Sequence, residues 1–185
     1  MGQLTTIGTS FRFFFAGIFL LVFASSASSQ DVQWANEVLR VSSKIGTKEY
    51  SAPQVLGKPN KCPASGDSPC AWFGKSDGIF GGKEERIKVG YKKPMQIQQV
   101  VIAENYNPGA VEKVILYDVQ DVPHTVYHGE ASPSTPPTRL MSVSFLRTDY
   151  KVKAVELIVQ CGKVPGPNEI DAIGISDSKT PAKAE

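Results

Sequence analysis

Arg86-Ile87-Lys88-Val89-Gly90-Tyr91-Lys92-Lys93-Pro94-Met95-Gln96-Ile97-Gln98-Gln99-Val100-Val101-Ile102-Ala103-Glu104 is the stretch on which the fold turns. Ile87, Val89 and Tyr91 alternate with charged or small residues, the period of two that sets one face of a strand against a core. Lys92-Lys93-Pro94 reads as a turn. From Ile97 to Glu104 the centre is continuously apolar (Val100, Val101, Ile102), as in a strand covered on both faces. The same punctuation repeats toward the C-terminus. Asn107-Pro108-Gly109 separates a strand at Val111–Val119, and a short strand follows at His124–His128. A Pro-rich crossing, Ser132-Pro133-Ser134-Thr135-Pro136-Pro137, leads to a strand with Met141, Val143 and Phe145 on one face and Ser142 and Ser144 on the other. Strands at Val155–Cys161 and Glu169–Ile175 close the set. Toward the N-terminus two short helical signals appear, Trp34–Leu39 and Ala52–Leu56, the second stopped by Gly57. About seven or eight short strands between turn residues predict an all-β, two-sheet sandwich with one or two short helical turns near the N-terminus.

The chain has 185 residues, with Lys and Arg at 20 against Asp and Glu at 18. Dispersed and nearly balanced charges argue against a nucleic-acid binder, which needs a basic stripe. The 41% hydrophobic content fits a folded domain and neither a disordered chain nor a multi-span membrane protein. Residues 1–29 read as a signal peptide. Arg12 precedes the apolar run Phe13–Ala24, and small residues, Ser25-Ser26-Ala27-Ser28-Ser29, precede Gln30. The run falls short of the roughly 20 residues of a spanning helix. Residues 30–176 are then one domain with no internal repeat, residues 177–185 a polar flexible tail. The destination is secreted, periplasmic or cell-surface, with no membrane span after signal cleavage.

Export sets the reading of the cysteines. Cys62 and Cys70 bracket Pro63-Ala64-Ser65-Gly66-Asp67-Ser68-Pro69, a tract unable to form helix or strand, and a disulfide closing it is expected. Cys161 shares a face with Val155, Leu157 and Val159 and is expected to be buried and inert.

Catalytic constellations are wanting. Gly74-Lys75-Ser76-Asp77-Gly78 matches a nucleophile-elbow pattern, but no helix follows it, so it reads as a surface loop. His124 and His128 would share a strand face roughly 13 Å apart, too far for one metal ion. Glu84 and Glu85 are adjacent and point to opposite faces. Binding chemistry is better served. Trp72, Phe73, Lys75, Asn105, Tyr106, Asn107 and Arg139 are loop or strand-end residues that can stack on a sugar ring and hydrogen-bond its hydroxyls, Trp72 being equally able to seal the core. Glu104, ending a buried strand, requires a partner, with Arg139 or Lys75 the candidates.

Several segments in order resemble the galactose-binding-like superfamily of jelly-roll domains, including the discoidin (coagulation factor 5/8 type C) type. Tyr50–Asn60 is similar to the segment that opens such domains. Trp72 and then Glu85-Arg86-Ile87-Lys88-Val89 follow in family order, and Asn168–Ile175 resembles the closing strand. Asn105–Val111 and Thr148–Val152 are most similar to a subgroup of exported bacterial proteins in which the domain precedes an outer-membrane-protein-A-type domain. The resemblance implies a jelly roll that binds through loops at one end, with a glycan or cell-envelope component as ligand; for want of a nucleophile, base or metal constellation no catalytic activity is expected, and no cofactor. A structural protein–protein module and a hydrolase are the rivals. It also implies a structural Ca²⁺ in many members. Gly57 and Lys58 stand where the family places an acidic ligand, leaving only Asn60, Glu169 and Asp171 as side-chain candidates and Lys58 as a rival partner for the acids.

Overall fold

A computed structural model describes residues 1–2, 31–43, 45–75 and 84–183. The expected signal peptide and the Ser76 loop lie outside these residues. Among the described residues nine strands follow one another: β1 (Gln33–Trp34), β2 (Glu37–Val41), β3 (Glu84–Met95), β4 (Gln99–Tyr106), β5 (Val111–Asp118), β6 (Pro123–His128), β7 (Arg139–Ser144), β8 (Val152–Gln160) and β9 (Glu169–Ser176). They form two antiparallel sheets, of order β1-β9-β4-β7 and β2-β3-β8-β5-β6. This is a jelly-roll sandwich, and its core lies between the sheets. Ile87 and Val89 of β3, Val114 and Leu116 of β5, and Val155, Leu157 and Val159 of β8 meet Val100 and Ile102 of β4 and Ile173 and Ile175 of β9. Period-two alternation thus became an inward face in each case. β4 is buried on both faces from Gln99 to Asn105, as its unbroken apolar centre requires. Gly174 of β9 lies under Val32 and Trp34, where a Cβ would come within 2.5 and 2.8 Å of their side chains.

Along the strands the structure departs from the sequence reading at three places. Trp34–Leu39 is not helical: Trp34 pairs with Gly174 and β2 pairs with β3, so two sheet edges claim a segment too short to nucleate a helix alone. The second helical signal does form: among the described residues Ala52–Val55 alone makes a helical turn, of the 3-10 type, and Gly57 after it has φ +86°. Lys92-Lys93-Pro94 is not a turn, because β3 runs on through it to Met95 with an irregularity after Gly90. There the Gln33 side-chain amide stands in for a neighbouring strand. Its Nε2 donates to Lys93 O at 2.8 Å, and its Oε1 accepts from Lys93 N at 2.9 Å. Finally, a bulge at Val126 flips the face of β6, so that His124 lies opposite inward-facing Leu116 and His128 opposite outward-facing Lys113. The two imidazoles therefore do not share a face.

Cys161 is 2% exposed within the core, and burial, with the Glu85 charge second, pushes its thiol up to about 12. Cys62 and Cys70 are both free thiols, the first half-buried and the second exposed. The expected bridge is thus not formed in this structure. Two buried carboxylates of β9 hold the tract between them instead.

Candidate functional site

The turns β4–β5 (107–110), β6–β7 (129–138) and β8–β9 (161–168) come together at one end of the sandwich, with the long β2–β3 connection. β9 enters this end with alternate carboxylates. Asp171 Oδ2 accepts from the backbone N–H groups of Lys61 at 2.9 Å and Cys62 at 2.8 Å, and its Oδ1 from that of Asn60 at 3.2 Å. Glu169 accepts from Ser68 N at 3.1 Å and from Asn105 Nδ2 at 2.5 Å. Asn105 Nδ2 also donates to Gly66 O at 3.1 Å, and Gly66 N returns a bond of 3.0 Å to Asn105 O. A loop rich in Pro, Gly and Ser has few ways to satisfy its own amides, and these side chains do so from the sheet. Nothing in the local pattern of the sequence marks Asp171 or Glu169 as a loop anchor. Their alternation with Ile170 in a closing strand was the available signal.

Glu104 is 2% exposed and ion-pairs with Arg139, whose Nε stands 2.5 Å from Oε2. Its other oxygen accepts from Gly109 N at 2.8 Å, and Arg139 also donates to Ser134 Oγ at 3.2 Å. Of the two cations available by sequence, Arg139 is the one the fold delivers, because β7 pairs with β4 in a register that sets Arg139 opposite Glu104. Asn107 has φ +44°, a left-handed conformation that Asn tolerates, and donates through Nδ2 to Pro167 O at 2.9 Å. Asn168 Nδ2 reciprocates to Asn107 O at 3.0 Å. The buried Oδ1 atoms of Asn105 and Asn168 have no protein partner.

Glu104, Asn105, Tyr106, Asn107 and Arg139 are thus brought together, and Lys75 projects exposed from the same end. Trp72 is placed differently. It bridges to Ile170 of β9, has no exposed surface, and donates its indole N–H to Ser43 O at 3.4 Å. Here it is core, forming the floor of this end, and its ring faces are covered by protein. The half-exposed aromatic surface belongs to Phe73 and Tyr50, whose rings meet edge to face at 5.2 Å, and to Tyr106. Tyr50 was not singled out in the sequence. Its position in the opening segment gave no cue that φ +53° would turn it toward Phe73 and Asp67.

These residues do not fit a Ca²⁺ ion. Calcium requires six to eight oxygen ligands, whereas the Asp171 oxygens face three N–H dipoles whose positive ends point where a cation would sit. Lys58 is exposed. Among the described residues no cluster of three His, Cys, Asp or Glu could hold a metal ion. Glu84 is bound to Arg86, while Glu85 turns inward to the Ser42 and Ser43 hydroxyls, so the adjacent acids do not converge.

No protein-family model and no curated protein sequence matches the chain. Solved structures show the fold. The chain is similar to XRCC1 in its reduced form bound to the DNA polymerase β catalytic domain (TM-score 0.59, 14% identity, 80% of this chain and 99% of that one). It is similar to a pectin-binding carbohydrate-binding module (TM-score 0.55, 15% identity, 82% and 97% covered). It is also similar to a CBM32 module from Clostridium perfringens in complex with GalNAc-β-1,3-galactose (TM-score 0.51, 15% identity, 74% and 92% covered). The fold is the galactose-binding-like jelly roll.

Proposed function

We propose that this protein is an exported, non-catalytic module that binds a glycan or other cell-envelope component through the loops at the Glu104–Asn107 end. The supporting observation is the company of half-exposed aromatic and polar side chains there: Tyr50, Phe73, Lys75, Tyr106 and Asn107, on a floor made by Trp72 and the Glu104–Arg139 pair. Aromatic rings offer the flat apolar face that a pyranose covers, and the amide and ammonium groups meet its hydroxyls. Carbohydrate-binding modules of the same fold, for pectin and for GalNAc-β-1,3-galactose, make this reading the natural one.

A glycan array tests it. Tyr106→Ala and Lys75→Ala should each weaken retention at least tenfold while leaving the melting temperature within a degree or two. Unchanged retention in both overturns the assignment of the loop end. Trp72→Ala should instead unfold or strongly destabilise the domain, as expected for a floor residue.

A protein partner is the second reading, and one surface favours it. Leu146 (92% exposed), Val119 (42%) and Val122 (48%) are apolar side chains on the turns at the opposite end. XRCC1, of the same fold, is bound to a protein. Retention of a protein ligand abolished by Leu146→Asp and untouched by Tyr106→Ala would establish this reading in place of the first.

A further inference from the structure

Glu85 stands where a core side chain belongs. It shares the inward face of β3 with Ile87 and Val89, lies opposite Val159 of β8, and is 5% exposed. A carboxylate in such a place is costly unless hydrogen-bond donors meet it. Two hydroxyls do, those of Ser42 and Ser43 just past the end of β2. Both donate to Oε2, Ser43 at 2.7 Å. A hydroxyl that gives its proton to a carboxylate turns its lone pairs the other way, toward backbone donors. Ser42 Oγ accepts from Arg86 N at 2.8 Å, which prolongs the pairing of β2 with β3. Ser43 Oγ accepts from Lys75 N at 2.7 Å and so reaches the segment that carries two of the rim side chains.

Three further contacts act on that segment. Trp72 exchanges backbone bonds with Ile170 of β9, its N at 2.9 Å from Ile170 O and its O at 2.8 Å from Ile170 N. Its indole N–H donates to Ser43 O at 3.4 Å. Gly74 is buried with the Glu85 side chain laid against it, and a Cβ there would stand 2.6 Å from Glu85 Cδ. The segment is therefore pinned to β9 at one end and to Glu85, directly and through Ser43, at the other. Phe73 lies between the two anchorages with its ring edge-on to Tyr50, and Lys75 leaves the second one for solvent.

We propose that Glu85 is a positioning residue of the binding end: acting through Ser43 and against Gly74, it fixes the backbone from which Phe73 and Lys75 meet a ligand. The proposal rests on the reading of that end as a glycan site and names the residue that sets its geometry. An apolar side chain would fill the space, as Ile87 and Val89 do beside it. Only an acceptor oxygen orients the Ser43 hydroxyl so that it receives Lys75 N. The carboxylate serves placement, not packing.

Two variants separate these roles. Glu85→Met keeps the length and apolar bulk of the side chain without its oxygens. Ser43→Ala, at a half-exposed position, removes the relay and leaves the core alone, so it keeps the test open if Glu85→Met does not fold. Hydrogen exchange of the full-length protein without ligand should show the Lys75 amide protected in the native chain. In both variants it should exchange at least about tenfold faster, with the β4 amides unchanged. Ser43→Thr, which restores a hydroxyl, should restore the protection. On the glycan array both Glu85→Met and Ser43→Ala should weaken retention at least about threefold while the melting temperature stays within a few degrees. The Ser43→Ala and Tyr106→Ala losses should multiply, whereas Ser43→Ala with Lys75→Ala should lose clearly less than the product of the two, as expected of a residue acting through Lys75. A Lys75 amide that exchanges freely in the native protein, or equally well protected in the variants, overturns the clamp. Retention that survives once the amide is freed, or losses that multiply with Lys75→Ala as they do with Tyr106→Ala, overturns the positioning role. A native protein retained by no glycan defeats the binding reading and the role that rests on it, while exchange without ligand still decides whether the clamp exists.

Discussion

A carboxylate removed from water at the end of a strand is stable only beside a cation and hydrogen-bond donors, and Glu104 has both in Arg139 and Gly109 N. Removing one partner leaves the other charge buried. Arg139→Met should therefore lower the unfolding free energy by about 3 kcal/mol, while Glu104→Gln combined with Arg139→Met should recover most of the loss. Urea titration of the two variants reads the difference. Gly109 is bound up with the same carboxylate. Its φ is +112°, and a Cβ there would stand 2.0 Å from Ser132 O. Gly109→Ala should then cost more than about 1 kcal/mol by the same measurement. At this scale the sequence was informative where chemistry leaves no choice. A charged residue closing an apolar run must be paired, and Glu104 is. Trp72 was ambiguous because a single aromatic serves as well for a core as for a platform, and only the bridge to Ile170 decides which it is.

Elements were legible in proportion to their periodicity. β3, β4, β5, β8 and β9 alternate or run apolar for long enough to announce themselves, and each contains the stretch the pattern marks, although β3 runs on through the expected turn to Met95. β1 and β2 are short, and their conformation is imposed by partners more than 45 residues away in sequence, information that no local window contains. The Val126 bulge is invisible for the same reason: one extra residue reverses a face without altering composition. The 60–70 connection shows the converse. A tract that cannot organise itself suggested a covalent staple, whereas the structure ties it through Asp171 and Glu169. Asp171→Asn replaces an acceptor by a donor facing backbone donors, and should cost about 2 kcal/mol and raise hydrogen exchange at residues 60–62. Since the acceptor set is filled by N–H groups, millimolar Ca²⁺ or EDTA should leave the melting temperature unchanged. A Ca²⁺-dependent rise would contradict the donor set described for Asp171.

For the whole molecule, the titrating groups set a direction for stability against pH. Glu112 is held below the usual carboxylate range by the Gln160 amide and then by Lys163. Around Asp118, burial is the largest influence and raises it, but the Val122 and Gln120 amides and His124 together outweigh burial and leave it lowered. Groups depressed in the fold contribute stability that is complete above their ordinary values, 4.5 and 3.8, and is lost as pH falls through the folded ones. Glu169 works the other way. Its carboxyl is raised, so its contribution is complete below the ordinary value of 4.5 and is lost as pH rises toward about 7. Tyr117, raised to about 12 by burial and by the Glu156 contact, repeats that sign in the alkaline range above 10. The lowered acids and the raised Glu169 thus act in opposite senses, which leaves a stability optimum between the acid range and neutrality. Thermal melts from pH 3 to 8 should show that optimum, and Glu169→Gln should remove the decline between 5 and 7 while leaving the acid limb in place. If the variant declines as the native protein does, another group carries the pH dependence.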